Sequence, residues 1–329
     1  MSIYDVNGNV LTDDVAIKSY YETEMADTIS KVRALQTEPN ITLFYVTDIH
    51  SYFVEGKETL YKTTVDNMRY LLKEIPCDGV VDLGDSIEGY STAAIAQGYG
   101  NLVMNEFRKI PVPLYCVFGN HDDNRYHYDS TAQRLTEPQA YQLVVNPTRK
   151  VVSDATGMNY YVDFPEFKIR MIFLNSVSDY TYKYSSDTCT WFSSVALDSP
   201  SGYGVLINTH VAPSGSWNYN NTTPTNASTI LSALSTYASS KEVVGILCGH
   251  NHVDDTFSSP YVGATLCCEK FENENGDPTK WPTGAVKPTR TEETASEDCW
   301  TVVVIRPGSK KINLVRFGAG SDYELTYGA

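Results

Sequence analysis

The sequence predicts an α/β fold, on three observations. Six short runs rich in Val, Ile, Leu and aromatics have strand length and composition: ITLFYVT (41–47), GVVDL (79–83), PLYCVF (113–118), KIRMIFL (168–174), YGVLIN (203–208) and VVGILC (243–248). Helical patterns near 57–74, 91–109 and 226–240 lie between several of them, the alternation expected of α/β architecture. The end differs: CWTVVVI (299–305) and KINLVRF (311–317), joined by PGSK, predict an antiparallel hairpin added to the parallel core.

The remaining elements follow in chain order. Residues 1–12 read as a polar arm whose DVNGNV holds the Asn-Gly pair of a type I′ turn. Residues 13–36 predict a helix with Ile29, Val32 and Leu35 on an apolar stripe and Met25 near it. This helix is expected to cover a sheet edge in its own chain rather than to pair with another subunit. The polar segment 271–297, rich in Glu, Thr and Pro, reads as a long loop. With no internal repeat or composition break, the expected division is an N-terminal arm and helix over 1–40 and one domain over 41–329.

Composition narrows the function. Hydrophobic residues make up 42%, enough for a full core. A formal net charge of −15 disfavours long nucleic acid as a partner, although a local positive site still suits a small anion. The seven cysteines include no C-x-x-C pair, and adjacent Cys267 and Cys268 read as packed thiols rather than a redox pair. The N-terminus lacks the basic and apolar regions of a signal peptide, and no apolar run has the length of a membrane span. The expected location is therefore cytoplasmic, or within an assembly that does not use the secretion route. Tyrosines number 24, and those in DYTYKY (179–184) and WNYNN (217–221) suit a binding surface in loops.

The chemistry sits at strand ends. Five of the six histidines fall in short motifs: Asp48-Ile49-His50, Gly119-Asn120-His121-Asp122, Thr209-His210 and Gly249-His250-Asn251-His252. A further motif, Gly84-Asp85-Ser86-Ile87-Glu88, adds carboxylates. Each begins within a few residues of the end of a predicted strand, and ligands of open α/β sheets bind beyond the carboxyl ends of strands. Carboxylate, imidazole and amide oxygen suit Mn²⁺, Fe²⁺ or Zn²⁺, and the absence of thiolate argues against a structural zinc site. About seven candidate ligands are too many for one tetrahedral ion and natural for two ions sharing a carboxylate.

The ordered set D-x-H, G-D-x-x-E, G-N-H-D, H and G-H-x-H resembles the calcineurin-like metallophosphoesterase superfamily over about residues 41–255. The resemblance implies a β-sandwich of two mixed sheets flanked by helices, with the metal site at the C-terminal ends of strands. It implies two divalent ions, one held by Asp48, His50 and His252, the other by Asn120, His210 and His250, with Asp85 between them. It implies a metal-held hydroxide as nucleophile, with His121 beside the scissile phosphate and Asp122 orienting His121. Asn120, His121 and Arg125 are the expected substrate contacts; His127 is a weaker one, and Glu88 is expected to support the ligands. Relatives often carry a His-His pair where this chain has Thr209-His210; the ligand histidine is kept.

The expected function is hydrolysis of a small phosphoester, a phosphodiester ahead of a phosphomonoester or pyrophosphate. The competing reading is a binding or structural module of a larger phage-like or cell-surface assembly that keeps the metal site as scaffold. The pair His121-Asp122 favours the enzyme, because a scaffold needs ligands but no acid. Segments 177–202, 213–225 and 256–297 are expected to form the pocket walls; oligomeric state and substrate identity stay open.

Overall fold

The structure, a computed structural model, describes residues 15–51, 60–126, 131–145, 152–267 and 277–328. The Asn-Gly turn, His127 and Cys268 lie outside these residues. In chain order the elements are α1 (Glu22–Leu35), β1 (Ile41–Val46), α2 (Leu60–Leu71), β2 (Gly79–Asp82), α3 (Ala93–Phe107) and β3 (Leu114–Cys116). Then come α4 (Glu137–Ala140), β4 (Val152–Ser153), β5 (Tyr160–Phe164), β6 (Ile169–Leu174), β7 (Val177–Ser178), β8 (Thr181–Tyr182) and α5 (Ser186–Trp191). The remainder is β9 (Gly204–Thr209), α6 (Ala227–Ala238), β10 (Glu242–Cys248), β11 (Asp255–Phe257), β12 (Gly263–Thr265), β13 (Cys299–Arg306), β14 (Lys311–Gly318) and β15 (Tyr323–Thr326).

Two mixed sheets result. The first runs β15-β14-β13-β1-β2-β3, with β1, β2 and β3 parallel and the three C-terminal strands antiparallel. The second runs β11-β12-β10-β9-β6-β5-β4, with β6, β9, β10 and β12 parallel. The expected C-terminal hairpin is present as β13 and β14, in register from Cys299↔Gly318 to Arg306↔Lys311. The short strands β11, β12 and β15 and the half-exposed β5 were not read from the sequence. Three or four residues carry too little periodicity to stand out, and YYVDF and YELT mix polar with apolar positions.

Alternation along the central strands explains their largely apolar composition. On β6, Ile169, Met171 and Phe173 face the core shared with the first sheet, while Ile172 and Leu174 join a second cluster with Phe192, Ile230 and Leu234. On β9, Leu206 belongs to the shared core, and Val205 and Ile207 to the second cluster. Both faces are thus covered, and the strands read as continuous hydrophobic runs. The sheets meet through buried polar contacts as well: the Tyr45 hydroxyl donates to Asn208 Oδ1 at 2.8 Å, and the Tyr160 hydroxyl to the Cys116 carbonyl at 2.8 Å.

Helix α1 packs within its own chain, as expected, but on the face of β13 and β14 rather than over a sheet edge. The edge position is already taken by β15. Tyr21, Met25, Thr28 and Val32 are buried there, and Ile29 and Leu35 pack partly buried against the same core. Between residues 277 and 297 the backbone forms 3₁₀ turns at Pro278–Lys280 and Ala295–Glu297, consistent with the loop reading. No helix among the described residues is long and apolar enough to cross a membrane.

Candidate metal centre

The strands β1, β2, β3, β9 and β10 deliver the motifs to one place. The loops after β1, β2 and β3 come from the first sheet, and those after β9 and β10 from the second, so the site bridges two sheets rather than lining the edge of one. Backbone pairing continues past the strand ends: Asp48 N donates to the Gly84 carbonyl at 2.8 Å, His50 N to the Asp85 carbonyl at 2.9 Å, and Gly249 N to the His210 carbonyl at 3.1 Å. Close approach makes glycine necessary at two turns. A Cβ on Gly119 would overlap the Asp85 backbone nitrogen and carboxylate, and one on Gly249 would overlap the Thr47 hydroxyl and the Asp48 carboxylate.

Backbone strain concentrates in the same loops. Asp48, His50, Asp85, His250 and His252 have φ of 53°, 47°, 57°, 72° and 54°, the left-handed region that non-glycine residues rarely adopt. Each such residue costs on the order of 1 kcal/mol, a cost tolerated where function needs the side-chain direction.

The side chains converge accordingly. Candidate ligand atoms of Asp48, His50, Asp85 and His252 lie within 4.8 Å of one another, and those of Asp85, His210 and His250 form a second such group. Asp85 belongs to both. His50 Nε2 faces His252 Nε2 at 2.9 Å, and His252 Nε2 is 3.4 Å from Asp48 Oδ1. His210 Nε2 lies 3.0 Å from Asn120 Oδ1 and 3.0 Å from Asp85 Oδ2. The latter approach lacks hydrogen-bond alignment, leaving Asp85 Oδ2 buried without a hydrogen bond.

Tautomers are fixed from outside the cluster. The Nδ1 of His50 faces Glu88 Oε2 at 3.2 Å, that of His210 faces the Leu83 carbonyl at 2.9 Å, and that of His121 faces the Glu88 carbonyl at 2.5 Å. In the neutral ring an acceptor at Nδ1 holds the proton there and leaves the Nε2 lone pair turned inward. Asn120 is oriented in the same way: its Nδ2 donates to the Tyr126 hydroxyl at 3.0 Å, which turns Oδ1 toward His210.

The charges are strongly coupled. Burial pushes the Asp85 carboxyl up, but His210 and then His121 outweigh it and hold the group well below its ordinary range. Burial also opposes charge on His210, and Asp85 overcomes it, raising His210 to about 9. Asp48 is held to about 2: burial acts upward, and His252, then His210, more than offset it. Burial, followed by the charge of His210, lowers His250 to about 3. Burial with His121 and His252 takes His50 well below its usual value, and burial lowers His121.

Every sequence-predicted ligand therefore reaches the cluster, but two other expectations are corrected. Asp122 was expected to orient His121 by a hydrogen bond. Its carboxylate instead accepts from the backbone nitrogens of Asp85 (3.0 Å), Ser86 (2.9 Å), Gly119 (2.9 Å) and Ile87 (3.3 Å), and clamps two ligand loops together. Burial, then the charges of Asp85 and Asp82, push this carboxyl up to about 8. Arg125 was expected at the substrate. Its guanidinium closes on Asp123, with Nη2 2.6 Å from Oδ2, and it does not line the cleft. A residue bound to its sequence neighbour's carboxylate has no fork left to offer a phosphate in that direction. Glu88 Oε2 faces His50 Nδ1, and Glu88, His50 and His121 form a third group whose ligand atoms lie within 4.8 Å of one another.

These contacts predict the behaviour of Asp122→Ala. Four buried N–H groups would lose their acceptor, at about 1–3 kcal/mol for each left unsatisfied. We expect a fall in Tm on the order of 10 °C together with weakened metal retention. A residue that merely orients His121 would instead lower the rate and leave thermal melts and metal content unchanged.

Above the cluster lies a cleft of ≈ 240 Å³, floored by Asp85, Asn120, His121, His250 and His252. Tyr126, Tyr182, Tyr219, Thr222, Trp281 and Lys287 stand along its walls. Tyr182, Tyr219 and Trp281 come one each from the three segments expected to form walls. Tyr126, Trp281 and Lys287 were not singled out in the sequence; only the aromatic loops around Tyr182 and Tyr219 gave a signal.

Comparison with known proteins agrees with this architecture. The family model for calcineurin-like phosphoesterases matches residues 41–254, and the chain belongs to that family. None of the curated proteins matches the sequence. Among solved structures, a dimetal phosphatase from Danio rerio superposes with a TM-score of 0.62 at 16% identity, covering 88% of this chain and 100% of that one. A purple acid phosphatase from yellow lupin seeds gives 0.53 at 12% identity, covering 88% and 54%. GAP50, described as the anchor in the inner membrane complex of Plasmodium, gives 0.54 at 10% identity, covering 88% and 90%. At these identities the likeness is one of fold.

Proposed function

We propose that this protein hydrolyses small phosphoesters with two divalent metal ions, and that a small phosphodiester is its preferred substrate. The observation that carries the reading is Asp85 Oδ2, buried without a hydrogen bond where two groups of inward-facing ligands meet. That donor set fits a pair of cations: Asp48, His50 and His252 on one side, Asn120, His210 and His250 on the other, Asp85 shared. When bound, such a pair supplies Lewis acidity and a water-derived nucleophile at neutral pH. On taking up a cation His210 gives up the proton that Asp85 now favours there, which makes affinity rise with pH.

The chain's own groups do the rest. His121 lines the cleft with Nδ1 held by the Glu88 carbonyl, so that in the doubly protonated ring Nε2–H would be the group able to pass a proton to the leaving oxygen of an ester bound there. The Asn120 amide, fixed by Tyr126, contributes one oxygen inward. A cleft of ≈ 240 Å³ suits a small ligand, and the net charge of −15 disfavours a long polyanion. The fold alone does not separate enzyme from scaffold, since it also occurs in a protein described as an anchor. The inward-facing His121 favours the enzyme.

The test is an activity panel with bis-p-nitrophenyl phosphate and p-nitrophenyl phosphate under Mn²⁺, Fe²⁺ and Zn²⁺. We expect turnover that is abolished by chelation, restored by metal, and faster on the diester. Hydrolysis indifferent to exhaustive chelation would sink the reading. His121→Ala is expected to lower kcat by about 10²–10⁴-fold with metal content intact; loss of metal in this variant would make His121 a ligand instead.

A further inference from the structure

The walls of the cleft have a chemistry that metal binding does not require. Trp281 and Lys287 belong to the polar segment after residue 277, yet that segment is docked on the metal-site loops. Val286 exchanges two backbone hydrogen bonds of 2.8 Å with Asp254, two residues beyond His252. Asp277 N donates to the Tyr219 hydroxyl at 3.3 Å. Lys287 is thereby fixed one residue after an anchored position, and it is the one lysine or arginine lining the cleft among the described residues. In a chain of net charge −15 this placement puts a cation beside a cluster that, with the proposed metal ions bound, would suit an anion. Tyr219 and Trp281 are half-buried, so each keeps ring surface for a ligand.

Resting on the phosphoester reading, we propose that the natural substrates carry a flat aromatic ring and a second anionic group. The ring packs on Trp281 and Tyr219, and the second anion is met by Lys287. An aromatic face rewards a planar ring over an alkyl chain of similar size, and a cation in a partly enclosed cleft rewards a charge that water would otherwise hold. Lys287 and Trp281 are in this reading specificity-determining residues, separate from the groups that act at phosphorus.

The experiment measures binding by calorimetry to Mn²⁺-reconstituted protein, with propylphosphonate, benzylphosphonate and (4-carboxybenzyl)phosphonate as probes. The wild type is expected to bind the benzyl compound about tenfold more tightly than the propyl compound, and the carboxybenzyl compound about threefold more tightly again. Trp281→Ala should erase the first difference and Lys287→Ala the second, each leaving the other in place. KM for phenyl phosphate and 4-carboxyphenyl phosphate should follow the same pattern while kcat changes little. Equal affinity for all three phosphonates overturns the proposal, as does an equal loss for all three in Lys287→Ala, which would place Lys287 on the phosphoryl group itself. Either result leaves metal-dependent hydrolysis standing. A protein that hydrolyses no ester with any metal overturns the parent reading, and this inference with it.

Discussion

Asp85→Asn is expected to keep the fold and lose the metal pair. The substitution is isosteric, and its remaining oxygen can still accept from the His121 backbone nitrogen, which lies 2.7 Å from Asp85 Oδ1. What changes is the other atom. Asp85 Oδ2 lies 3.0 Å from His210 Nε2 and 3.8 Å from His50 Nε2, so an amide there presents an N–H₂ group to two ligand nitrogens and removes the shared negative charge. Supporting residues around metal ligands typically govern affinity by about 10–100-fold, and the shared ligand itself should exceed that range. If two cations held there stabilise the charge developed at phosphorus, as proposed, kcat/KM at fixed metal should fall by about 10³-fold or more. Elemental analysis after Mn²⁺ reconstitution, circular dichroism and kinetics together provide the check. Two retained metal equivalents with a rate within tenfold of wild type would show that Asp85 does not join the two groups.

The contrast between Asp85 and its neighbours shows what a sequence can and cannot convey about such a site. The convergence of Asp48, His50, Asp85, Asn120, His210, His250 and His252 was legible because each follows a strand whose apolar run is easy to see, and the strand ends of two sheets meet. Their residue types also suit the proposed metal chemistry. The role of Asp122 was not legible, because its partners are backbone nitrogens from two loops, and a main-chain donor leaves no residue signature. Arg125 misled for a related reason: a guanidinium after a phosphate-type motif suggests an anion, but Asp123, two residues earlier, satisfies it first. Trp281 and Lys287 were hidden in a segment with no periodicity, which is held by an isolated backbone bridge between Asp254 and Val286 and by the bond from Asp277 N to the Tyr219 hydroxyl. The fold followed the same division. Two-sided burial made β1, β6, β9 and β10 conspicuous, whereas three-residue β12 forms on the edge of β10 and three-residue β11 on β12 in turn.

Deleting residues 1–36 is expected to cost the domain most of its stability, because α1 is part of the core. Tyr21, Met25 and Val32 are each at most 1% exposed, and Tyr21 packs against Phe317 with ring centroids 5.7 Å apart. Burying a large apolar side chain contributes about 1.5–3 kcal/mol, so these three alone account for roughly 5–9 kcal/mol. A typical domain has about 5–15 kcal/mol in total. Removal would also uncover the apolar surface of β13 and β14 that includes Trp300 and Phe317, and an exposed patch of that kind promotes aggregation. Polar contacts add register: Glu24 Oε1 accepts from Gly318 N at 3.0 Å, and Lys31 reaches Asp322 at 2.8 Å. Neither is worth much at a surface, but both end on β14 or the turn after it and fix how the helix lies. The truncated protein should therefore be insoluble or melt far below the parent, and Val32→Asp in the full chain should reproduce much of the loss by burying an unpaired charge. Light scattering and thermal melts of both proteins decide the matter. An active, monomeric truncation as stable as the parent would mean that α1 serves assembly and that the core closes without it.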